Sequence, residues 1–291
     1  MSDSTAQAIQ KILHATLEPL KKRELELANL ANQSFSGDVR EGGETVKIIE
    51  ESDVSIHQGN LNGDIDYYDK LTPNSQELRI TNIPYINITM SDIEEQQLKT
   101  SMAKELITRA IARGMYKFKL DVDSNLASTY VSCGLFPMIN GTMTNNNVTI
   151  STSNAFNYLK YMKTSFLRGD LGEFENDWCA VLPPEYVEKL ELDTSNIYTI
   201  PGYENRVKGW KGTCSGWQIF QSNAITADQG GYYHPLFLVR GQSLALAMQK
   251  DPTFKDSTRP NKFETSYAYR IAYGYKMYRP DKAGTFSCNF S

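Results

Sequence analysis

The sequence lacks long hydrophobic runs and any surplus of basic residues. Its 291 residues include 30 Lys and Arg against 34 Asp and Glu, a formal net charge of −4. This balance excludes a protein that overall charge draws to nucleic acid or anionic lipid, although it leaves room for a local basic patch. No stretch approaches the roughly 18 consecutive apolar residues of a membrane-spanning helix. Residues 1–5 also lack the basic and apolar regions of a signal peptide.

Cysteine is scarce and scattered. The four cysteines lie far apart in the sequence, and no pair has C-x-x-C spacing: Cys133, Cys179, Cys214 and Cys288. This pattern excludes a disulfide framework, so we expect reduced, mostly buried thiols in a protein made in a reducing cytoplasm. The hydrophobic fraction of 40% is ordinary for a folded chain of one large or two small domains.

Motifs for catalysis and cofactor binding are absent. The sequence contains neither the G-x-x-x-x-G-K-[ST] phosphate loop nor G-x-G-x-x-G. The segment 121–132 begins like a calcium loop but has Leu126 in place of the glycine and Ser132 in place of the glutamate. The three histidines fall on different predicted elements and lack metal-ligand spacing. We therefore expect no enzyme, no metal and no cofactor.

One segment of the sequence has the form of a nucleophile motif. Residues 212–216, Gly-Thr-Cys-Ser-Gly, have the G-x-nucleophile-x-G form of a hydrolase elbow around Cys214. That elbow must lie between a buried strand and a helix. Here a polar segment, residues 208–211, precedes it and a strand-like run follows. A turn is the favoured interpretation, and a small cysteine hydrolase using Cys214 is kept as an alternative.

Two strand-like runs flank a polar segment that contains glycine. The runs are residues 45–49 and 77–83, and the second is predicted to continue through Pro84 to residue 90. An isolated two-stranded ribbon is at best marginally stable. Because this arm has little apolar surface, we expect it to lie on another copy of the chain. The predicted contact residues are Gln58, Gly59, Asn60, Leu61, Asn62, Gly63, Asp64, Ile65 and Asp66.

A long amphipathic helix follows the arm. Ser91 and Glu94 form a predicted capping box, in which each side chain bonds the other residue's backbone amide. Apolar residues at helical spacing then predict a helix from Ser91 to about Leu120, roughly 45 Å long. The predicted apolar stripe comprises Leu98, Met102, Ala103, Leu106, Ile107, Ile111, Met115 and Phe118.

Shorter elements make up the rest of the chain. A helix is predicted over residues 154–168, a buried strand over 178–182, and a short helix after Pro183 and Pro184. Further strands are predicted over residues 217–220, 236–239, 243–248 and 267–278.

In this order, the elements resemble a known family. The chain is similar to the major capsid proteins of tailed bacteriophages, which have the Hong Kong 97 (HK97)-like capsid fold. The resemblance covers nearly the whole sequence, and six elements in the right order carry it. They are residues 37–48, 63–78, 85–94, 178–184, 209–223 and 273–280.

The resemblance implies an α+β fold with four parts. Residues 1–36 would form an N-terminal arm and 37–90 an extended β-hairpin loop. A peripheral domain with the long spine helix would comprise 91–130 and 263–291, and an axial domain 131–262.

The resemblance also implies a function. The chain would self-assemble into pentamers and hexamers of an icosahedral head that encloses the double-stranded DNA genome of a tailed phage. It would be assembled in the host cytoplasm and reside in the virion, without sequence-specific DNA binding and without a membrane. Expected partners are other copies, a portal protein, decoration proteins and, because only about 36 residues precede the loop, a separate scaffolding protein. The alternative with the same fold is an encapsulin-like cellular nanocompartment shell.

Overall fold

The computed structural model describes residues 26–36, 45–50, 57, 74–91, 93, 100–192, 210–259 and 263–290. The helices are α1 (Glu26–Leu30), α2 (Thr100–Ala127), α3 (Ala155–Arg168) and α4 (Pro184–Leu192), and a 3-10 turn (Ser128–Ser132) follows α2. The strands are β1 (Thr45–Glu50), β2 (Asn74–Arg79), β3 (Tyr85–Ser91), β4 (Met138–Ile139), β5 (Thr142–Met143), β6 (Val148–Ile150), β7 (Trp178–Leu182), β8 (Trp210–Cys214), β9 (Trp217–Gln221), β10 (Leu236–Val239), β11 (Leu244–Arg259), β12 (Glu264–Met277), β13 (Ala283–Thr285) and β14 (Cys288–Phe290).

A five-stranded sheet separates two hydrophobic cores. Its order is β13-β10-β7-β9-β8, with β7 and β9 parallel and the other pairs antiparallel. Alternate residues of β7 face opposite sides: Cys179 and Val181 join the core that contains α2, whereas Trp178, Ala180 and Leu182 join the core that contains α3 and α4. Since both faces are covered, β7 reads as an unbroken apolar run, as predicted.

Helix α2 lies against the first core along one stripe. The predicted residues Ile107, Ile111, Met115 and Phe118 are buried there. Two parts of the prediction are wrong. The helix ends at Ala127 rather than near Leu120, because Val122 and Leu126 continue the buried stripe through the segment that resembled a calcium loop. Leu106 is exposed, since it lies on the opposite side of the helix from this stripe.

A second sheet, in the order β11-β12-β3, covers the other side of the first core. Ile86, Ile88 and Met90 alternate toward this core. The prediction that β2 continues into β3 is wrong: β2 ends at Arg79, and β3 pairs with β12 in this other sheet.

Strands β11 and β12 form a long antiparallel hairpin. The predicted strand over residues 243–248 therefore continues to Arg259. Register shifts occur between Met248 and Lys250 and between Lys250 and Thr253. The second shift contains Pro252, whose nitrogen has no hydrogen to donate to a ladder.

The segment from α1 to Ser36 belongs to the body of the subunit. Leu27 and Ala28 are fully buried against α2, and the Ala28 amide donates to Asp123 Oδ1 at 3.3 Å. Asn32 forms a bridge to Ala245, and the Met248 amide donates to Ser36 Oγ at 3.2 Å. This segment therefore ties α2 to the start of β11.

Candidate assembly surfaces

The base of the predicted arm is fixed to its own subunit. Strands β1 and β2 pair antiparallel, and Val46, Ile48 and Leu78 bury their side chains in a third core. Two alanines of β11 and Tyr278 supply the other side of this core. The expectation that the arm has little apolar surface is thus wrong at its base, because alternate residues of the ribbon face the β11–β12 hairpin.

Polar contacts and a close backbone approach strengthen this attachment. Gln76 Nε2 donates to the Tyr278 carbonyl at 3.2 Å, and Lys276 Nζ donates to the Glu77 carbonyl at 3.3 Å. Gly274 of β12 lies against the end of β2, where a Cβ would collide with the Arg79 carbonyl group, 2.9 Å from its carbon. A residue with a side chain at position 274 would force the two strands apart.

The last residue pair of the ribbon marks where the outer part of the arm begins. Glu50 and Asn74 are paired, so residues 51–73 leave and rejoin the ribbon at neighbouring positions. The predicted intersubunit contacts, residues 58–66, all lie outside the described residues. Ser91 is the last residue of β3, and its predicted capping partner Glu94 lies outside the described residues. The intersubunit contacts of residues 58–66 and the capping box of Ser91 and Glu94 remain predictions.

The Cys214 motif is a hairpin turn. Cys214 and Trp217 pair at the ends of β8 and β9, and Ser215 and Gly216 between them have φ values of 53° and 87°. Two successive left-handed residues form the two-residue turn that suits the twist of a hairpin. Cys214 itself is buried in the second core. The prediction of a turn is confirmed, and the strand–turn–helix geometry of a hydrolase elbow is not formed here.

Sequence reasoning missed a polar cluster around His234. His234 Nε2 lies 3.1 Å from Asp228 Oδ2, and Nδ1 lies 3.4 Å from Ser287 Oγ. The Tyr130 ring stacks on the imidazole, with centroids 3.9 Å apart. No spacing motif marks these residues in the sequence, because only the fold brings them together.

The cluster acts as a clamp between three segments. Asp228 Oδ1 accepts the Tyr232 and Gly230 amides at 2.9 and 2.8 Å. The Tyr232 amide and then the His234 side chain are the main causes that lower the pKa of Asp228. His234 is buried and both ring nitrogens already have neighbours, so the ring joins the 3-10 turn after α2 to the β13–β14 segment rather than facing a substrate.

Metal-ligand clusters and membrane-spanning helices are both absent from the described parts of the chain. Within them, no group of three or more His, Cys, Asp or Glu side chains is placed to hold a metal ion. None of the helices found there is long and apolar enough to cross a membrane.

Solved structures match nearly the whole chain, although no family model and no curated protein matches the sequence. A protein of Mycobacterium phage Che8 is similar with a TM-score of 0.69 at 18% identity, over 90% of this chain and 91% of that chain. The mature capsid of bacteriophage PhiM1 is similar with a TM-score of 0.61 at 13% identity, over 89% and 87%. The chain has the HK97-like capsid fold. The α+β fold implied by the sequence resemblance is confirmed.

The same fold also occurs outside phage heads. The SrpI encapsulin complex from Synechococcus elongatus is similar with a TM-score of 0.53 at 10% identity, over 84% of this chain and 81% of that chain. At such identities the likeness is one of fold, so the biological role of the shell needs a separate argument.

Proposed function

We propose that this chain is the major capsid protein of a tailed phage. It self-assembles into pentamers and hexamers of the icosahedral head that encloses the double-stranded DNA genome. The observation that supports this proposal is the similarity to a mature phage capsid subunit along nine-tenths of the chain. In this role the protein is structural rather than enzymatic, and its location is the virion.

The geometry suits a shell subunit that combines a well-packed body with an arm anchored to it at the base. Two cores lie on either side of one sheet in the body, and the third core fixes the base of the arm. Contacts between different patches of identical subunits can close into five- and six-fold rings. The extended loop would then lie on a neighbouring subunit and join the two bodies.

The four-part layout belongs to the same proposal, with one change at residue 262. That boundary falls between β11 and β12, which pair along nearly their whole length. Since β12 also pairs with β3 beside α2, we assign β11 to the peripheral domain with α2. The axial domain would then end near residue 243.

The proposed partners are other copies of the chain, a portal protein, a separate scaffolding protein and decoration proteins. Expression of the full chain, alone and with the scaffolding protein of its own genome, tests the central claim. Sedimentation and negative-stain microscopy should show rings or closed shells. A stable monomer at high concentration under all these conditions would contradict the proposal.

An encapsulin-like nanocompartment shell is the second candidate, and the similarity to the SrpI encapsulin complex favours it. Particles isolated from the natural source distinguish the two functions. A phage head should contain nuclease-protected double-stranded DNA of uniform length and one portal vertex. A nanocompartment should contain a cargo enzyme and no such DNA.

A further inference from the structure

Helix α2 carries an unusual set of side chains on the face that is turned away from the core. We call these residues the outer stripe; they are Leu106, Arg109, Arg113, Tyr116 and Leu120, and all five are exposed. The apolar members have exposures of 48% for Leu106, 56% for Tyr116 and 40% for Leu120. Single exposed apolar residues are ordinary on protein surfaces, but these share one helix face.

The spacing of the outer stripe is that of a helix-pairing seam. Successive members are separated by three, four, three and four residues, which is the heptad pattern of the a and d positions of a coiled coil. From Leu106 to Leu120 the stripe is about 21 Å long, enough for two heptads. Because Ile107, Ile111, Met115 and Phe118 already bury the opposite face, the core of the subunit does not explain this second pattern.

Positive charges lie on the outer stripe at Arg109 and Arg113 and beside it at Lys117. Arg109 pairs with Glu105, four residues earlier, whereas Arg113 and Lys117 have no ion-pair partner among the residues that the structure describes. The whole chain has a net charge of −4, so this is a local reversal of sign. A second copy of α2 would place arginine against arginine, which disfavours self-pairing along the seam.

We propose that the outer stripe is a docking site for an amphipathic α-helix of another protein, with apolar residues on its seam and Asp or Glu beside them. Leu106, Tyr116 and Leu120 would interdigitate with the apolar seam. Arg113 and Lys117 would pair with the acidic residues. This inference goes beyond shell formation and does not depend on it.

Duplex DNA fits the stripe less well. Surfaces that bind DNA are polar and strongly positive, and their affinity comes from several phosphate contacts. Here three of five positions are apolar, and only Arg113 and Lys117 on this face lack an ion-pair partner among the described residues. The test below includes DNA as a competing occupant.

Two synthetic peptides probe the site. Each is a four-heptad amphipathic helix with leucine at its seam positions; one has glutamate at the flanking positions and the other lysine. Fluorescence anisotropy of each labelled peptide, titrated with the full-length chain, should show binding of the glutamate peptide at least tenfold tighter than that of the lysine peptide. A labelled 24-base-pair duplex is titrated in parallel.

Variants of the full chain then locate the binding. Arg113→Glu with Lys117→Glu should weaken the glutamate peptide at least tenfold and make the lysine peptide the tighter ligand. Leu120→Ser should weaken both peptides. The controls Arg270→Glu and Leu167→Ser change exposed residues elsewhere and should leave binding unchanged. Circular dichroism confirms that each variant is folded.

Three outcomes overturn the proposal. The first is equal binding of the two peptides, or binding of neither, to the parent chain. The second is glutamate-peptide binding that survives the charge reversal. The third is tight duplex binding that the charge reversal abolishes, which would assign the stripe to nucleic acid. Shell formation by the same variants is measured separately, so failure of the docking site and failure of the proposed function give different results.

Discussion

The four cysteines show how burial sets the chemistry of single residues. Desolvation disfavours the thiolate and raises the pKa of Cys133, Cys179 and Cys288 to about 12, and Cys214 is also buried. A thiol with such a pKa is almost fully protonated at pH 8. We expect an aromatic disulfide reagent to modify no cysteine of the native chain and all four after unfolding, as followed by absorbance. A single fast-reacting thiol at Cys214 would contradict this prediction and revive the hydrolase alternative.

Asp228 provides a prediction for pH dependence. Backbone amides and the His234 side chain lower its pKa from the ordinary value of 3.8, with the Tyr232 amide as the largest cause. A carboxylate with a depressed pKa in the folded state contributes stability above its unfolded pKa, and that contribution is lost as the pH falls through the folded pKa. Asp228→Asn should therefore lower the melting temperature by a constant amount above about pH 4 and by less below it. Thermal melts across this range test the prediction; a difference that does not change with pH would contradict it.

At the scale of elements, the contact between β2 and β12 fixes the base of the arm. Gly274→Ala should drive a Cβ into the Arg79 carbonyl group and destabilise the chain by about 1–3 kcal/mol, because backbone cannot yield as a flexible side chain can. Urea unfolding of the variant and the parent measures this effect. The control Gly172→Ala adds a methyl group at ordinary contact distance, 3.5 Å from Leu167 Cδ2, and should have little effect. Equal stability of the two variants would show that β2 and β12 can move apart at Gly274 without loss of stability.

Elements with a complete local pattern could be predicted from the sequence. Helix α3 buries Leu159, Met162 and Phe166 on one face, and β7 is apolar throughout because both faces are covered. For both elements, the apolar residues in the local sequence are enough to show which faces are buried. The predicted end of helix α2, near Leu120, is too early, because the polar residues Asp121 and Asn125 interrupt the apolar stripe in the sequence. The structure explains them: both bond to the Tyr273 hydroxyl of β12, a contact 148 or more residues away in sequence.

Elements that depend on distant partners could not be predicted. The second half of β11 is polar and contains Pro252, and only its long pairing with β12 makes it a strand. The buried base of the arm depends in the same way on Ala245 and Ala247, small residues that leave room for Val46 and Leu78. The His234 cluster forms only when the fold brings together the 3-10 turn after α2, a loop and the C-terminal strands. The spacing of residues along the sequence does not show which distant segments come into contact.

For the whole molecule, we predict that no covalent bond joins the subunits of the shell. The extended loop has no lysine between Glu51 and Asp69 to form an amide crosslink, and the cysteines are buried within the subunit. Mature particles boiled in detergent should release one species near 32.9 kDa, with or without reductant. Ladders of dimers and larger multimers that survive boiling would refute this prediction.

The extended loop is the part whose role concerns the assembly and not the single subunit. Residues 58–66 contain only two large apolar side chains, Leu61 and Ile65, so they have little with which to form a core. Ordering them costs roughly 1–2 kcal/mol per residue for the backbone alone. In the proposed shell, contacts with a neighbouring subunit offset this cost. We expect the loop to be separable from the body, since Val46, Ile48 and Leu78 bury their side chains against β11 and Tyr278.

Replacing residues 58–66 by a tight Asn-Gly turn should therefore leave the body folded but impair shell formation, because each subunit loses its reach over the next. Circular dichroism and a thermal melt check the first half, and sedimentation of the assembly mixture checks the second. Changing the exposed Asn145, Asn146 and Asn147 to serine controls for alteration of a polar turn elsewhere and should leave assembly intact. If the shortened chain assembles as well as its parent, the loop does not join subunits. If the shortened chain fails to fold, residues 58–66 contribute to the stability of the subunit itself, and the loop is not separable from the body.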